Sequence, residues 1–271
     1  MTAGRRLVFG AAVLVLGVLV TMALWPTLFT SVDPLRTDPA NAFLPPSTEH
    51  LFGTDQSGRD VFSRVVHGAQ YSLGVGFGAT TIAVVIGLVI GALSALAPRA
   101  VDGAIMRGTD ILLAFPEFLI ALVVIAILGP GPVNVAVAVT IGAIPVYLRL
   151  ARAETRTQLT ADHVEAARLL GIGSARVLTR HVLPATASPL LVLATIGIGT
   201  AIIAAAGLSF LGLGPTEPTP EWGLILSGGR NFLGRAWWIA VFPGLAITAT
   251  VVSATIIGRT LRARSEGRDG S

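Results

Sequence analysis

The sequence contains neither cysteine nor lysine among its 271 residues, and only 13% of its residues are charged. Without cysteine, disulfides, thiolate metal sites and cysteine nucleophiles are excluded. Without lysine, the chain has no P-loop lysine for nucleotide phosphates and no Schiff-base residue, so we expect a protein that does not hydrolyse ATP itself. Soluble domains usually carry roughly 25% charged residues, so the low charge also argues against an ordinary soluble enzyme.

Apolar residues take the place of the missing charge, at 53% of the chain, and the mean hydropathy is +0.77. A membrane span needs about 20 mostly apolar residues. Stretches without Asp, Glu or Arg lie at 7–32, 65–98, 118–148, 181–216 and 236–258. A turn signal at Gly129-Pro130-Gly131-Pro132 divides the third of these. We predict an all-α, polytopic membrane protein with six transmembrane helices, near residues 7–28, 71–97, 106–128, 133–151, 189–208 and 237–258.

The arginines indicate the orientation of these spans. An even number of spans places both termini on the same side of the membrane. If that side is the cytoplasm, fourteen arginines lie inside and five outside. Cytoplasmic loops of membrane proteins carry such an excess. The net charge of +4 is therefore attributed to topology, and no nucleic-acid partner is expected. A cleaved signal peptide is the alternative for the first span, but its apolar run exceeds the usual length of roughly 7–15 residues.

The outer segment 29–70 begins as an irregular loop rich in proline and ends in a helical pattern. Ser57 and Asp60 have the spacing of a capping box, and apolar residues recur at helical spacing after them. This pattern predicts a short amphipathic helix on the outer surface, or one that only orients the second span. The later outer segment 207–236 either contacts a partner or packs against neighbouring helices. The residues predicted as outer-face contacts are Asp55, Arg59, Asp60 and Trp222.

The cytoplasmic segment 152–188 has the pattern of two short helices joined by a glycine hinge. Asp162 can cap a first helix that Gly171 ends, and Ser174 can cap a second helix that ends before Pro184. A helical knob at the membrane surface could dock into a groove of a partner protein. A solvated connecting loop is the alternative.

The same segment resembles the EAA signature of ABC importer permeases in its residues and their spacing. The matching positions are Glu165, Ala166, Ala167, Gly171, Leu183 and Pro184. Other stretches resemble the dipeptide, oligopeptide and nickel branch, in particular its shorter, second permease subunit. These stretches are Phe52 to Asp60, Asp110 to Pro116, Arg180 to Pro184, Leu208 to Gly214 and Pro220 to Gly223. The resemblance extends over about residues 50–260.

The resemblance implies a type I ABC importer permease fold in the bacterial inner membrane, working by alternating access. It implies a second homologous permease subunit, two ATP-binding cassette subunits and an extracytoplasmic solute-binding protein as partners, besides membrane lipid. The six EAA-like positions would couple the chain to the ATPases. The chain itself would be no enzyme and would hold no cofactor or metal, with ATP and Mg on the partner ATPase subunits. Dipeptides or oligopeptides are the expected cargo, nickel or another small solute the alternative. A self-contained secondary transporter is a further alternative.

Two carboxylates lie within the predicted third span, where ionisable groups are costly and become functional candidates. Asp110 is close to the cytoplasmic end and could pair with Arg107. Glu117 follows Pro116, which is expected to kink the helix. The seven-residue separation would put both carboxylates near one face, about 10 Å apart. Glu117 is a candidate for the translocation pathway, and a hydrogen bond or salt bridge within the bundle is the alternative.

These assignments divide the chain into three regions. Residues 1–70 form an N-terminal span, an outer loop and the amphipathic helix. Residues 71–260 form a permease core of five spans with the cytoplasmic coupling loop at 152–188. Residues 261–271 form an arginine-rich cytoplasmic tail.

Overall fold

The computed structural model describes residues 3–265, and this part of the chain contains ten α-helices. The helices are α1 (Ala3–Leu24), α2 (Val61–Leu96), α3 (Arg99–Leu113), α4 (Glu117–Leu128), α5 (Pro132–Leu159), α6 (Asp162–Leu169), α7 (Ser174–Val177), α8 (Leu183–Phe210), α9 (Trp222–Gly229) and α10 (Trp238–Ser265). Within the described residues the only β-pairing is an isolated bridge between Thr54 and Asp60. The predicted all-α class is confirmed.

Five helices of the described chain are long and apolar enough to cross a membrane: α1, α2, α5, the continuous helix from α7 to α8, and α10. The predicted third span is not one helix, because α3 and α4 meet at an angle of 95°. Phe115 and Pro116 lie in this break. The helix is interrupted here because proline lacks an N–H and disfavours a helical conformation in the residue before it. The count reaches six when the bent pair is taken as one span.

The predicted amphipathic helix at the outer surface is wrong. Residues 61–70 are instead the first turns of α2, a single helix of 36 residues and about 54 Å. Val61, Val66 and Ala69 are fully buried, so this stretch lies inside the protein rather than on its surface. The boundary drawn at residues 70 and 71 therefore falls within one helix.

The core forms where α2 packs along α5 and α8, with α10 against α8 and α1 against α10. Gly87 and Gly91 of α2 allow a close approach to α5: a Cβ at Gly87 would lie 2.6 Å from the Cβ of Tyr147, and one at Gly91 2.6 Å from the carbonyl oxygen of Leu148. A Cβ at Gly74 or Gly78 would meet nothing within 4 Å, so this part of α2 is open.

The predicted loop and tail boundaries shift because the helices continue beyond the predicted ends of the spans. α5 continues to Leu159 and α8 begins at Leu183, which reduces the loop of 152–188 to residues 160–182. α10 continues through Ser265, and residues 266–271 of the predicted tail lie outside the described residues.

Asp110 is paired differently from the prediction. Its carboxylate accepts a hydrogen bond from Arg149 of α5, not from Arg107 of its own helix. Asp110 and Glu117 also lie on different helices, α3 and α4, so the expected common helix face does not exist. The break before Glu117 is the reason that the two carboxylates do not share one helix face.

Candidate functional site

The cytoplasmic segment 160–182 forms a compact projection, called the knob here, between α5 and α8. Gly171 ends α6 in the left-handed conformation, with φ of +76°. The N–H of Ile172 donates to the carbonyl oxygen of Ala167 at 3.1 Å, as in a Schellman motif. The predicted glycine hinge is therefore a helix C-cap that turns the chain into α7.

Four apolar side chains hold the knob together: Val164, Ala167, Val177 and Val182, each at most 5% exposed. Glu165 and Ala166 lie beside them on α6 but are exposed. The three residues of the EAA-like tripeptide thus differ in burial within one helical turn. Its last residue packs inside the knob, and its first two residues are accessible to a partner.

The tip of the knob carries two leucines that cover nothing in the chain. Leu169 is 83% exposed and Leu170 is 81% exposed. Both lie just before Gly171, where α6 ends. Two neighbouring exposed leucines form an apolar surface of the kind that proteins use for contact with other proteins.

The knob continues into the membrane without a break, which corrects the predicted helix end before Pro184. A π-helical turn at Leu178–Val182 links α7 to α8, and the N–H of Leu183 donates to the carbonyl oxygen of Leu178. Pro184 is then in the first turn of α8. The wider turn accommodates a proline that an uninterrupted α-helix would not. Leu183 is half-buried and Pro184 exposed at this junction.

On the outer side, ionic side chains connect the loop before α2 with the loop between α8 and α9. Arg59 Nε donates to Asp55 Oδ2 at 2.6 Å and Arg59 Nη1 to Glu217 Oε2 at 2.6 Å. Arg64 Nη2 donates to the same Glu217 oxygen at 3.3 Å, and Arg64 Nη1 to the carbonyl oxygen of Pro218 at 3.1 Å. Asp55, Arg59, Arg64 and Glu217 are called the outer cluster below.

The capping box predicted from Ser57 is wrong, because the structure shows Asp60 as the N-cap of α2. Asp60 Oδ1 accepts from the backbone N–H of Ser63 at 2.7 Å, and its Oδ2 lies 2.9 Å from His50 Nδ1. Trp222 is fully buried against α2, where its Nε1 donates to the carbonyl oxygen of Val65 at 2.8 Å.

These positions do not agree with the predicted outer-face contact. Asp55, Arg59 and Asp60 are at most 7% exposed, and Trp222 is 0% exposed. Each side chain is used within the chain to fix the outer loops. The only member of the outer cluster with a large exposed fraction is Glu217, at 41%.

Sequence reasoning missed Glu221, which caps α9 from the residue before Trp222. Its carboxylate accepts from the N–H groups of Gly223 at 2.9 Å and Leu224 at 2.8 Å, and from Ser72 of α2 at 3.2 Å. Burial raises the pKa of this carboxyl. The available signal was an acidic residue directly before an apolar run, the pattern of a helix start.

Glu117 is the first residue of α4 and lies against α5. A Cβ at Gly142 would be 3.1 Å from Glu117 Cγ, so the glycine leaves room for the carboxylate. Glu117 Oε1 is buried and has no hydrogen-bond partner among the described residues. Among the described residues no ion pair to Glu117 is found.

Residues 3–265 contain no group of three or more His, Asp or Glu side chains arranged to hold a metal ion. The two candidate regions thus differ in character: the knob exposes apolar side chains, and the outer cluster consists of ionic side chains that are mostly buried.

Comparison with known proteins gives a family match over residues 70–267, to the family described as "Binding-protein-dependent transport system inner membrane component". The "Dipeptide transport system permease protein DppC" of Alkalihalophilus pseudofirmus is 42% identical over 90% of this chain and 80% of its own length. The "Glutathione transport system permease protein GsiD" of Escherichia coli is 45% identical over 80% of this chain and 72% of its own length.

Solved structures show the same fold at lower identity. The methionine ABC transporter MetNI, in an inward-facing conformation, has a chain with a TM-score of 0.58 and 22% identity, covering 74% of this chain and 96% of its own. A chain of an amino acid ABC transporter has a TM-score of 0.57 and 17% identity, covering 74% of this chain and 94% of its own.

Proposed function

Since the chain belongs to the family of binding-protein-dependent transport system inner membrane components, it is an inner-membrane permease subunit of an ABC importer, and we propose that its cargo is short peptides. The support for peptides is the identity of above 40% to permeases named for dipeptide and glutathione transport. Nickel or another small solute is the alternative cargo for the same machinery.

The family implies ATPase and solute-binding partners. We propose that a second, homologous permease completes the membrane-spanning part and that two ATP-binding cassette subunits attach from the cytoplasm. ATP and Mg are assigned to those subunits, in keeping with a chain that has no lysine for nucleotide phosphates. Energy then has to enter this subunit through protein contact.

The observation that carries this assignment is the knob with its two exposed leucines. In the proposal Leu169 and Leu170 enter a groove of an ATPase subunit, while Glu165 and Ala166 line the contact. Ala167 and Gly171 give the knob its fixed shape, and the Leu183-Pro184 junction passes its movement into α8. Because α5 and α8 leave the knob as helices, movement of the knob would tilt both spans and alternate access across the membrane.

The outer loops face the solute-binding protein in this proposal. The outer cluster would act indirectly, by holding the loop around Glu217 against the start of α2. Glu117 is proposed to line the pathway, where its unpartnered oxygen could accept a hydrogen bond from the ammonium group of a peptide.

A transport measurement on the reconstituted complex tests the importer assignment. The chain is expressed alone and together with candidate ATPase, second permease and solute-binding subunits, and each preparation is reconstituted in proteoliposomes. We expect ATP-dependent uptake of labelled dipeptides only from the complete complex. Uptake by the chain alone would show a self-contained transporter and overturn the proposal.

A variant of the knob tip tests the site of contact. Leu170→Asp should abolish co-purification of the ATPase subunits, because a buried unpaired charge opposes association. The matched control is Leu51→Asp, which changes an equally apolar, 56% exposed leucine of the outer loop. The control should retain the ATPases. Equal retention in both variants would place the contact elsewhere.

A further inference from the structure

Asp102 is a buried carboxylate at the cytoplasmic ends of three helices, and nothing in the proposed function uses it. It lies in the first turn of α3 and is 5% exposed. Ser94, in the last turn of α2, donates to Asp102 Oδ1 at 2.8 Å. From α5, Arg152 donates to both carboxylate oxygens, with its Nη2 at 2.6 Å from Oδ2, and Arg156 Nη2 donates to Oδ2 at 2.7 Å.

These contacts are stronger than a surface ion pair. An arginine fork on a carboxylate is a charge-assisted, two-point contact that fixes direction as well as distance. Asp102 also lies near the positive end of the α3 dipole, which favours its ionised form. Removing the carboxylate would leave Arg152, which is 22% exposed, without its partner on α3. The group therefore holds α5 firmly to the α2–α3 corner.

The position of this contact along the chain is the second observation. α5 ends at Leu159 and the knob begins directly after it, so Arg156 is within one turn of the end of α5. Along α2, Gly87 and Gly91 bring the backbones of α2 and α5 together. At the other end of α2, Arg64 is hydrogen-bonded to Glu217 of the outer cluster.

We infer that Asp102 is a positioning residue that clamps α5 to α2 and α3, so that movement of the knob is passed into α2 and from there to the outer cluster. This inference rests on the proposed function, since it needs a knob that is moved by an ATPase. A clamp at the end of α5 prevents that helix from sliding or turning separately from α2. The long helix α2 then carries the movement across the membrane.

The substitution Asp102→Asn tests the clamp in the complete reconstituted complex, with the solute-binding protein loaded from a mixture of labelled dipeptides. It removes the charge and keeps the shape. We expect the ATPases to remain bound and basal ATP hydrolysis to be unchanged. The peptide transported per ATP hydrolysed should fall at least about fivefold, the lower end of usual coupling effects between sites.

The matched control is Asp110→Asn, because Asp110 also joins α3 to α5 through an arginine. That pair is exposed, at 56% for Asp110 and 53% for Arg149. Exposed ion pairs contribute little, so the control should keep the wild-type ratio of transport to ATP hydrolysis. An equal fall in both variants would make the effect one of surface charge and overturn the inference.

Two more variants separate coupling from simple folding. Arg152→Gln should lower the ratio as well, and the double variant Asp102→Asn with Arg152→Gln should be no worse than Asp102→Asn alone, since that change already removes the carboxylate that Arg152 contacts. Additive losses would overturn the inference. Failure of Asp102→Asn and Asp102→Glu to assemble would assign the residue to folding and overturn it as well.

The failure of this inference differs from failure of the proposed function. If the wild-type complex imports no peptide and binds no ATPase, the proposed function fails. If the wild-type complex imports peptide and Asp102→Asn matches it in transport per ATP, only the clamp is rejected.

Discussion

Gly171 is the residue whose backbone fixes the shape of the knob. Its φ of +76° lies in the left-handed region, and a Cβ there would meet nothing within 4 Å. The restriction on residue type at position 171 therefore comes from the backbone conformation and not from crowding by neighbouring residues. A non-glycine residue in such a conformation costs of order 1–3 kcal/mol, and asparagine tolerates it better than β-branched residues.

We expect Gly171→Val to uncouple ATP hydrolysis from transport while the chain still inserts into the membrane. Gly171→Asn is the matched control and should retain most of the transport, because asparagine adopts the required φ. The measurement is substrate-stimulated ATP hydrolysis of the reconstituted complex. Normal stimulation in the valine variant would show that the turn at Gly171 does not matter for coupling.

Glu117 is the other residue whose chemistry leads to a prediction. The substitution Glu117→Gln keeps the size of the side chain and removes its negative charge. If the carboxylate meets a peptide ammonium in the pathway, transport should fall while assembly is unaffected. Gly142→Ala should reproduce part of the loss, since its Cβ would lie 3.1 Å from Glu117 Cγ. Unchanged affinity and rate in Glu117→Gln would remove the pathway role.

At this scale the sequence predicted the glycine turn correctly and failed for the outer charges. The turn depends on a local property of glycine, which is visible in one residue. Arg59 is held partly by Glu217, which lies 158 residues from it in the sequence. The local sequence pattern shows only polar residues before a membrane span. Their burial becomes visible only from contacts with residues distant in the sequence.

At the scale of helices, glycines on different faces of α2 have different surroundings. Gly87 and Gly91 are in close contact with α5, whereas a Cβ at Gly74 or Gly78 would meet nothing within 4 Å among the described residues. The open pair borders an apolar groove between α2 and α5, with Ile82, Val137 and Ile141 among its walls. Spacing of small residues alone does not distinguish a packed pair from an open one.

We expect Gly87→Ala to destabilise the chain by about 1–3 kcal/mol, since an added methyl in a tight contact displaces the backbone. Gly74→Ala should leave the stability of the chain unchanged, because the added methyl meets nothing in it. Thermal unfolding of the purified complex in detergent measures the difference. Equal melting temperatures for the two variants would contradict the close packing of α2 on α5.

Helix boundaries were harder to predict than helix existence, for identifiable reasons. The Gly-Pro turn at residues 129–132 was correctly placed, because both residue types interrupt helices. The sequence predicts a helix end before Pro184, but the helix continues, because a π-helical turn just before it relieves the clash that proline normally causes. The outer part of α2 was wrongly separated, because no helix breaker marks where a helix leaves the membrane.

At the scale of the whole molecule, the two faces differ in chemistry. One face projects two exposed leucines on a knob, and the other ties its loops together with buried ion pairs. The long helix α2 and the knob-linked helices α5 and α8 connect these faces. A subunit that receives energy on one side and handles cargo from the other needs such continuous elements, because packed helices transmit displacement as rigid bodies.

The orientation of this assembly rests on the arginines and can be measured directly, because the chain has no cysteine of its own. Glu49→Cys and Ser174→Cys change exposed residues of the outer loop and of the knob. In cells without the ATPase subunits, a membrane-impermeant maleimide should label the first variant in spheroplasts and the second only in inside-out vesicles. The reverse result would place the knob outside, where no ATPase can reach it, and the importer assignment would fail together with the topology. The absence of cysteine, which excludes disulfides and thiolate sites, thus allows each face of the protein to be assigned with a single substitution.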